Sequence, residues 1–190
     1  MDSAFTILTP EAFRRTPWKN GLGVTDQIAS HGDAQGLLWR LSLAEVSSDG
    51  PFSRFEGLER LLTVVEGPGM DLLGPEGGLA AEPERPLAFS GDLPLEGRLR
   101  GAPVRNLNLI YDPRRLRASG ACLRPAGRLT APGPLCLLYL LSGEVTGAGG
   151  SPVAAGSAVI VRSWAQSLAT TKNTALICLT LTALNDASAP

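Results

Sequence analysis

Leu61-Leu62-Thr63-Val64-Val65-Glu66-Gly67 and Leu137-Leu138-Tyr139-Leu140-Leu141-Ser142-Gly143 are one phrase written twice, an apolar strand halted by glycine. Each is followed by a Gly-rich turn region and then by a small-residue turn, at residues 87–92 in one half and 154–158 in the other. Each half then closes on a strand, Val104–Tyr111 and residues 175–181. Self-similarity at this spacing marks a duplicated architecture. Short apolar strands must bury a face against another sheet, and sheets that close on themselves leave few open edges. The repeat therefore predicts two similar β units sharing a core within 190 residues.

The rest of the chain also reads as strand. Residues 38–46 (LWRLSLAEV) alternate, with Leu41 and Leu43 against Arg40, Ser42 and Ala44, the period of a sheet with two unlike faces. In Val104–Tyr111, Leu107 and Leu109 point one way and Asn106 and Asn108 the other. Residues 135–141, 158–161 and 175–181 are nearly continuous apolar runs. Glycine (22) and proline (15) supply the turns. Helical period is scarce: Thr9 and Pro10 can open one short turn, and residues 114–117 read as another short helix or as linker.

The grammar of each half resembles a cupin half-barrel. The expected fold is all-β with little helix, a bicupin of two double-stranded β-helix (jelly-roll) barrels packed together. Residues 1–113 are expected to form the first barrel, with a ligand pocket. Residues 135–190 form the second half packed on it, with the N-terminal strand open to sharing. Residues 114–134 are read as a junction rich in Gly, Pro and Arg (Arg114, Arg115, Arg117, Arg124, Arg128). A solvated linker is the plainer reading of that charge, a partner-binding patch the other.

Seventeen Lys and Arg against eighteen Asp and Glu leave a net charge of −1, which gives no reason to expect nucleic acid or an anionic membrane as partner. No apolar run approaches the ~20 residues of a membrane span, and the first residues lack a secretory pattern. The three cysteines, Cys122, Cys136 and Cys178, show no CxxC spacing and read as free thiols in a reducing cytoplasm. The one histidine, His31, lies in a polar turn and cannot supply the His-rich set that iron or zinc needs. No metal and no cofactor are expected. GxSxG and Walker A are absent, and Gly21-Leu22-Gly23 does not continue into GxGxxG.

The chemistry-bearing residues gather in the first half. They are Lys19, Asn20, Thr25 and Gln27 around two glycines; Arg40 and Ser42 on one strand face; Ser53, Phe55 and Arg60 in and after a turn-rich loop; and Asn108. If these faces converge inside a barrel, the pocket offers guanidinium charge, amide donors and acceptors, and aromatic walls. Arg presents a planar fork to a carboxylate, and Asn and Gln can read an amide or formyl group. Such a pocket suits a small organic anion. The plainer alternative is that Arg40 and Ser42 face solvent on an antiparallel sheet.

Three segments resemble the HutD/Ves family of bacterial cupin-like proteins. They are Trp18-Lys19-Asn20-Gly21-Leu22-Gly23-Val24-Thr25, Trp39-Arg40-Leu41-Ser42, and Asp49-Gly50-Pro51-Phe52-Ser53-Arg54-Phe55-Glu56-Gly57 with Arg60 shortly after. The resemblance implies a bicupin without the usual metal ligands, in a bacterial cytoplasmic protein tied to histidine utilisation or stress response. It implies no firmly attached enzymatic activity. Where the family tends to read basic-acidic after Thr25, this chain reads Asp26-Gln27, and the Asn106 position tends to be Asp. Both changes remove negative charge from the pocket and leave no general base on those faces. A binder of a small carboxylate or formyl-bearing metabolite, monomeric or homodimeric, is the leading expectation. A metal-independent isomerase or hydrolase using Lys19 or Glu56, and an interaction module built on the arginine-rich junction, are the alternatives.

Overall fold

The computed structural model describes residues 5–18, 21, 23–130, 133–147, 150–162 and 167–184. Three strands open the chain: β1 (Phe5–Leu8), β2 (Arg14–Pro17) and β3 (Gly23–Asp33). A single 3-10 turn at Pro10–Ala12 lies between the first two, with Pro10 entering where no backbone N–H is needed. Eight strands follow: β4 (Gly36–Val46), β5 (Gly50–Pro51), β6 (Glu59–Glu66), β7 (Met70–Gly74), β8 (Gly77–Ala81), β9 (Leu87–Ser90), β10 (Glu96–Leu99) and β11 (Val104–Tyr111). The second half supplies β12 (Leu116–Leu123), β13 (Arg128–Leu129), β14 (Leu135–Ser142), β15 (Glu144–Thr146), β16 (Val153–Ala154), β17 (Ala158–Val161), β18 (Leu168–Thr170) and β19 (Ala175–Ala183).

The two sets of eight follow the same order. In the first half β4-β11-β6-β9 form one sheet and β5-β10-β7-β8 the other. In the second, β12-β19-β14-β17 and β13-β18-β15-β16 repeat that arrangement strand for strand. The duplicated phrase falls on β6 and β14, each paired antiparallel to the last strand of its own half. The additions are β2 and β3, which extend the first large sheet beyond β4, and β1, which pairs with β17 in the second.

The large sheets pack back to back. Leu41, Leu43, Leu61, Leu107 and Leu109 from the first meet Leu137, Tyr139, Ile160, Ile177 and Leu179 from the second in one buried seam. Each fully buried Leu or Ile there contributes about 1.5–3 kcal/mol of transfer free energy. Alternation then sends the other residues of the same strands into the barrels. The second barrel is filled by Cys136, Leu138, Leu140, Val159, Leu176 and Cys178. The first is only partly filled, by Leu62, Val64, Met70, Leu72 and Phe89. Its remaining inner face is polar.

The segment read as a junction contains a strand. β12 carries an eight-residue ladder to β19, with Leu116, Ala118 and Cys122 turned to the seam. Its alternation is hidden in the sequence because the seam-facing residues are small. Gly120 sits where a Cβ would lie within 2.9–3.1 Å of Leu179, Pro86 and Leu61. Three of the five junction arginines form ion pairs within the chain: Arg114 with Asp112, Arg115 with Asp33 and Arg124 with Glu84.

Candidate functional site

Strand register aligns the polar residues in rungs across β4, β11 and β6. Arg40 lies opposite Ile110 and Ile110 opposite Arg60; Ser42 opposite Asn108 and Asn108 opposite Leu62; Ala44 opposite Asn106 and Asn106 opposite Val64. β3 extends the rungs with Gln27 beside Ser42 and Thr25 beside Ala44, and β2 adds Arg14 beside Gln27. Period two puts these side chains on the barrel face. Of these, Thr25, Arg40, Ser42, Arg60, Asn106 and Asn108 line a cavity of about 60 Å³ with Trp18, Phe52, Ser53 and Phe55.

Arg60 is 5% exposed. Its Nε donates to Asn108 Oδ1 at 3.4 Å and its Nη1 to the Ser53 carbonyl at 3.2 Å. Its guanidinium lies 5.1–5.3 Å from the ring centres of Phe52, Phe55 and Phe89, a cation–π cage. Arg40 lies 5.1 Å over Phe55. Among the described residues neither arginine has a carboxylate within 4.0 Å. Burial, with Arg40 nearby, pushes the Arg60 guanidinium down to about 10. Burial, with Arg14 nearby, lowers Arg40 as well. The site thus concentrates positive charge without a counter-charge. Opposite it, Trp18 closes a wall, its indole Nε1 donating to Thr25 Oγ1 at 2.7 Å.

Of the residues expected from sequence, Thr25, Arg40, Ser42, Ser53, Phe55, Arg60 and Asn108 come together around the cavity. Gln27 shares the sheet face but accepts from Arg14 at 3.3 Å and donates to Ser30, outside the lining. Lys19 and Asn20 lie outside the described residues. Glu56 is exposed and does not line the cavity. Trp18, Ala44, Val46, Phe52 and Asn106 complete the lining and were not among the expected ligand-binding residues. Alternation had already set Asn106 on the strand face of Asn108. Nothing local marks Trp18 or Phe52 as walls, because both reach the cavity from turns.

The duplicated barrel shows how specific this face is. Matching β6 to β14 and β11 to β19 by register sets Cys136 where Arg60 stands, Cys178 where Asn108 stands and Leu176 where Asn106 stands. All three pack into the apolar interior.

Two back-to-back β units, one with an apolar interior and one holding a polar cavity, define an all-β protein of cupin fold. The fold is shared, at 11% identity and a TM-score of 0.55, with a cupin 2 conserved barrel domain protein from Leptotrichia buccalis over 85% of this chain and 89% of that one. More specifically, the chain belongs to the HutD family, whose model matches residues 10–179. A curated relative from Pseudomonas putida, an uncharacterized 21.2 kDa protein in the hutC 3' region, is 37% identical over 151 residues, 75% of this chain and 77% of that one. Protein Ves from Cronobacter sakazakii is 30% identical over 132 residues, 66% of this chain and 70% of that one. The solved structure of HutD from Pseudomonas fluorescens SBW25, in a formate condition, matches with a TM-score of 0.82 at 30% identity, over 95% of this chain and 100% of that one.

Cupin barrels commonly hold a metal ion, and the inner face here does not fit one. Its polar groups are guanidiniums, amides and hydroxyls, and the two guanidinium cations would repel a third. Among the described residues no group of three or more His, Cys, Asp or Glu could hold a metal. His31 is exposed on β3, its ring 6.4 Å from that of Trp39.

Proposed function

We propose that the first barrel binds a small organic anion, a carboxylate or formyl-bearing metabolite, in a metal-independent regulatory role linked to histidine utilisation or stress response. The observation that carries the reading is the pair Arg40 and Arg60. Arg60 is buried and Arg40 half-buried, and neither has a carboxylate partner among the described residues. Taking an ion out of water costs several kcal/mol after relaxation. An incoming carboxylate, held by charge-assisted hydrogen bonds, offsets that cost. The cavity volume equals roughly four or five water-sized spheres, so it holds a small carboxylate or the head of a longer acid. The P. fluorescens HutD structure was obtained in a formate condition, and the P. putida relative lies beside hutC. Both are in keeping with this ligand class and this pathway. Three free thiols are in keeping with the cytoplasm.

Thermal unfolding with formate, acetate, urocanate and formylglutamate tests the reading. A ligand at a hundred times its Kd adds about 2.7 kcal/mol. For a chain of this size that raises Tm by roughly 5–10 °C. Arg60→Met is expected to abolish the response. No shift with any of the four acids, at concentrations well above ~1 mM, would overturn the proposal.

A further inference from the structure

We infer that the cavity selects a monocarboxylate that also carries an amide one or two carbons from the acid, and that Asn106 is the residue that reads the amide. The inference rests on the anion-binding reading above and goes beyond it by naming the second group of the ligand.

Asn106 is 1% exposed and lines the cavity. Neither its Nδ2 nor its Oδ1 has a hydrogen-bond partner among the described residues. Buried side-chain amides are almost always paired in folded proteins. Here a donor and an acceptor are unpaired together on one planar group, at the end of the cavity away from the charge. The third unpaired atom of the site is Arg40 Nε, part of the edge with which arginine grips a carboxylate. The unmet hydrogen-bonding demand is therefore of two kinds, one cationic and one amide-like.

Register gives the separation. Asn106 stands two residues along β11 from Asn108, the residue Arg60 holds, which is about 6.8 Å at 3.4 Å per residue. The cross-strand neighbours of Asn106 are Ala44 and Val64, so its end of the cavity is neutral. A ligand bridging the two ends places its carboxylate at Arg40 and Arg60 and its second group at Asn106. A second carboxylate could accept from Nδ2–H, but its remaining oxygen would face Oδ1, acceptor against acceptor. An amide satisfies both atoms, accepting from Nδ2–H through its carbonyl and donating its N–H to Oδ1. The ligand class is accordingly the monoamides of small diacids, whose primary amide presents its carbonyl and an N–H side by side on one edge.

Malonate and its monoamide malonamate separate this from simple charge attraction, because they match in shape and differ in one group. Charge alone favours dianionic malonate beside the arginines. Pairing with Asn106 favours malonamate. Titration calorimetry on the full chain is expected to show malonamate binding at least ~10-fold tighter. In Asn106→Leu the preference for malonamate over malonate should vanish. Malonate binding as tightly as malonamate, or tighter, in the unaltered protein overturns the inference while leaving acetate binding, and so the anion site, intact. If acetate, malonate and malonamate all fail to bind, the anion site itself is refuted and the inference with it. Should Asn106→Leu not fold, the comparison in the unaltered protein decides alone.

Discussion

Thr63 and Asn106 pose the same problem on opposite faces of one sheet. Thr63 is 0% exposed and its hydroxyl has no partner among the described residues. It lies opposite Leu107, on the seam side of β6 with Leu61. A hydroxyl against an apolar seam is a plain cost, whereas an amide lining a cavity is a potential contact. Thr63→Val keeps the shape and removes the unpaired group. It is expected to stabilise the fold by about 1 kcal/mol, raising Tm by roughly 2–4 °C, with no change in anion response. A fall in Tm in differential scanning would show that the hydroxyl has a partner after all. At this scale the sequence was a good guide wherever alternation applied. Period two puts Arg40 and Ser42 on one face of β4 and Asn106 and Asn108 on one face of β11, and strand pairing then joins the two faces. It was silent on Trp18 and Phe52, whose positions depend on how turns fold back over the sheet. It also missed that Gln27 would be taken up by Arg14, because β2 reads as four exposed residues with no pattern of its own.

The duplicated elements turn on a matched pair of glycines. Gly67 follows β6 with φ +95°, and Gly143 follows β14 with φ +71°. A Cβ at Gly67 would lie 2.5 Å from the Pro103 carbonyl oxygen, and one at Gly143 2.6 Å from the Thr174 Cα. Both neighbours are backbone and cannot swing aside. Gly143→Ala combines left-handed strain of roughly 1–2 kcal/mol with that clash. It is expected to lower Tm by at least ~4 °C, while the anion-dependent shift survives because the turn belongs to the filled barrel. Loss of the anion shift at unchanged Tm would contradict this. These turns were legible because glycine after an apolar run is a strong punctuation mark. β12 was not, because its seam-facing Ala118, Gly120 and Cys122 are small and its other face mixes Arg117 and Ser119 with Ala121 and Leu123. The signal that predicts strands is apolar contrast, and close packing against the first barrel requires its absence.

At the scale of the whole molecule, the seam decides what the second barrel contributes. Its interior positions equivalent to Arg60, Asn108 and Asn106 are filled by Cys136, Cys178 and Leu176, so those rungs offer no polar face. Its large sheet, however, supplies half of the seam against which β11 and β6 are fixed. The N-terminal strand β1 completes that sheet beside β17, so the chain crosses to the second barrel before it builds the first. Neither half can close its own large sheet over a dry face without the other. Folding should therefore be one cooperative event, and binding should be felt globally. Core amides that exchange only through global unfolding report the full stability of the unit. An anion held in the first barrel raises that stability by mass action. Native-state hydrogen exchange with saturating acetate is thus expected to slow the amides of β19 by the same factor as those of β11, although β19 is not part of the cavity lining. Slowing confined to β11 and its neighbours would mean that the barrels open independently, with the seam a contact between two folded units and not their common core.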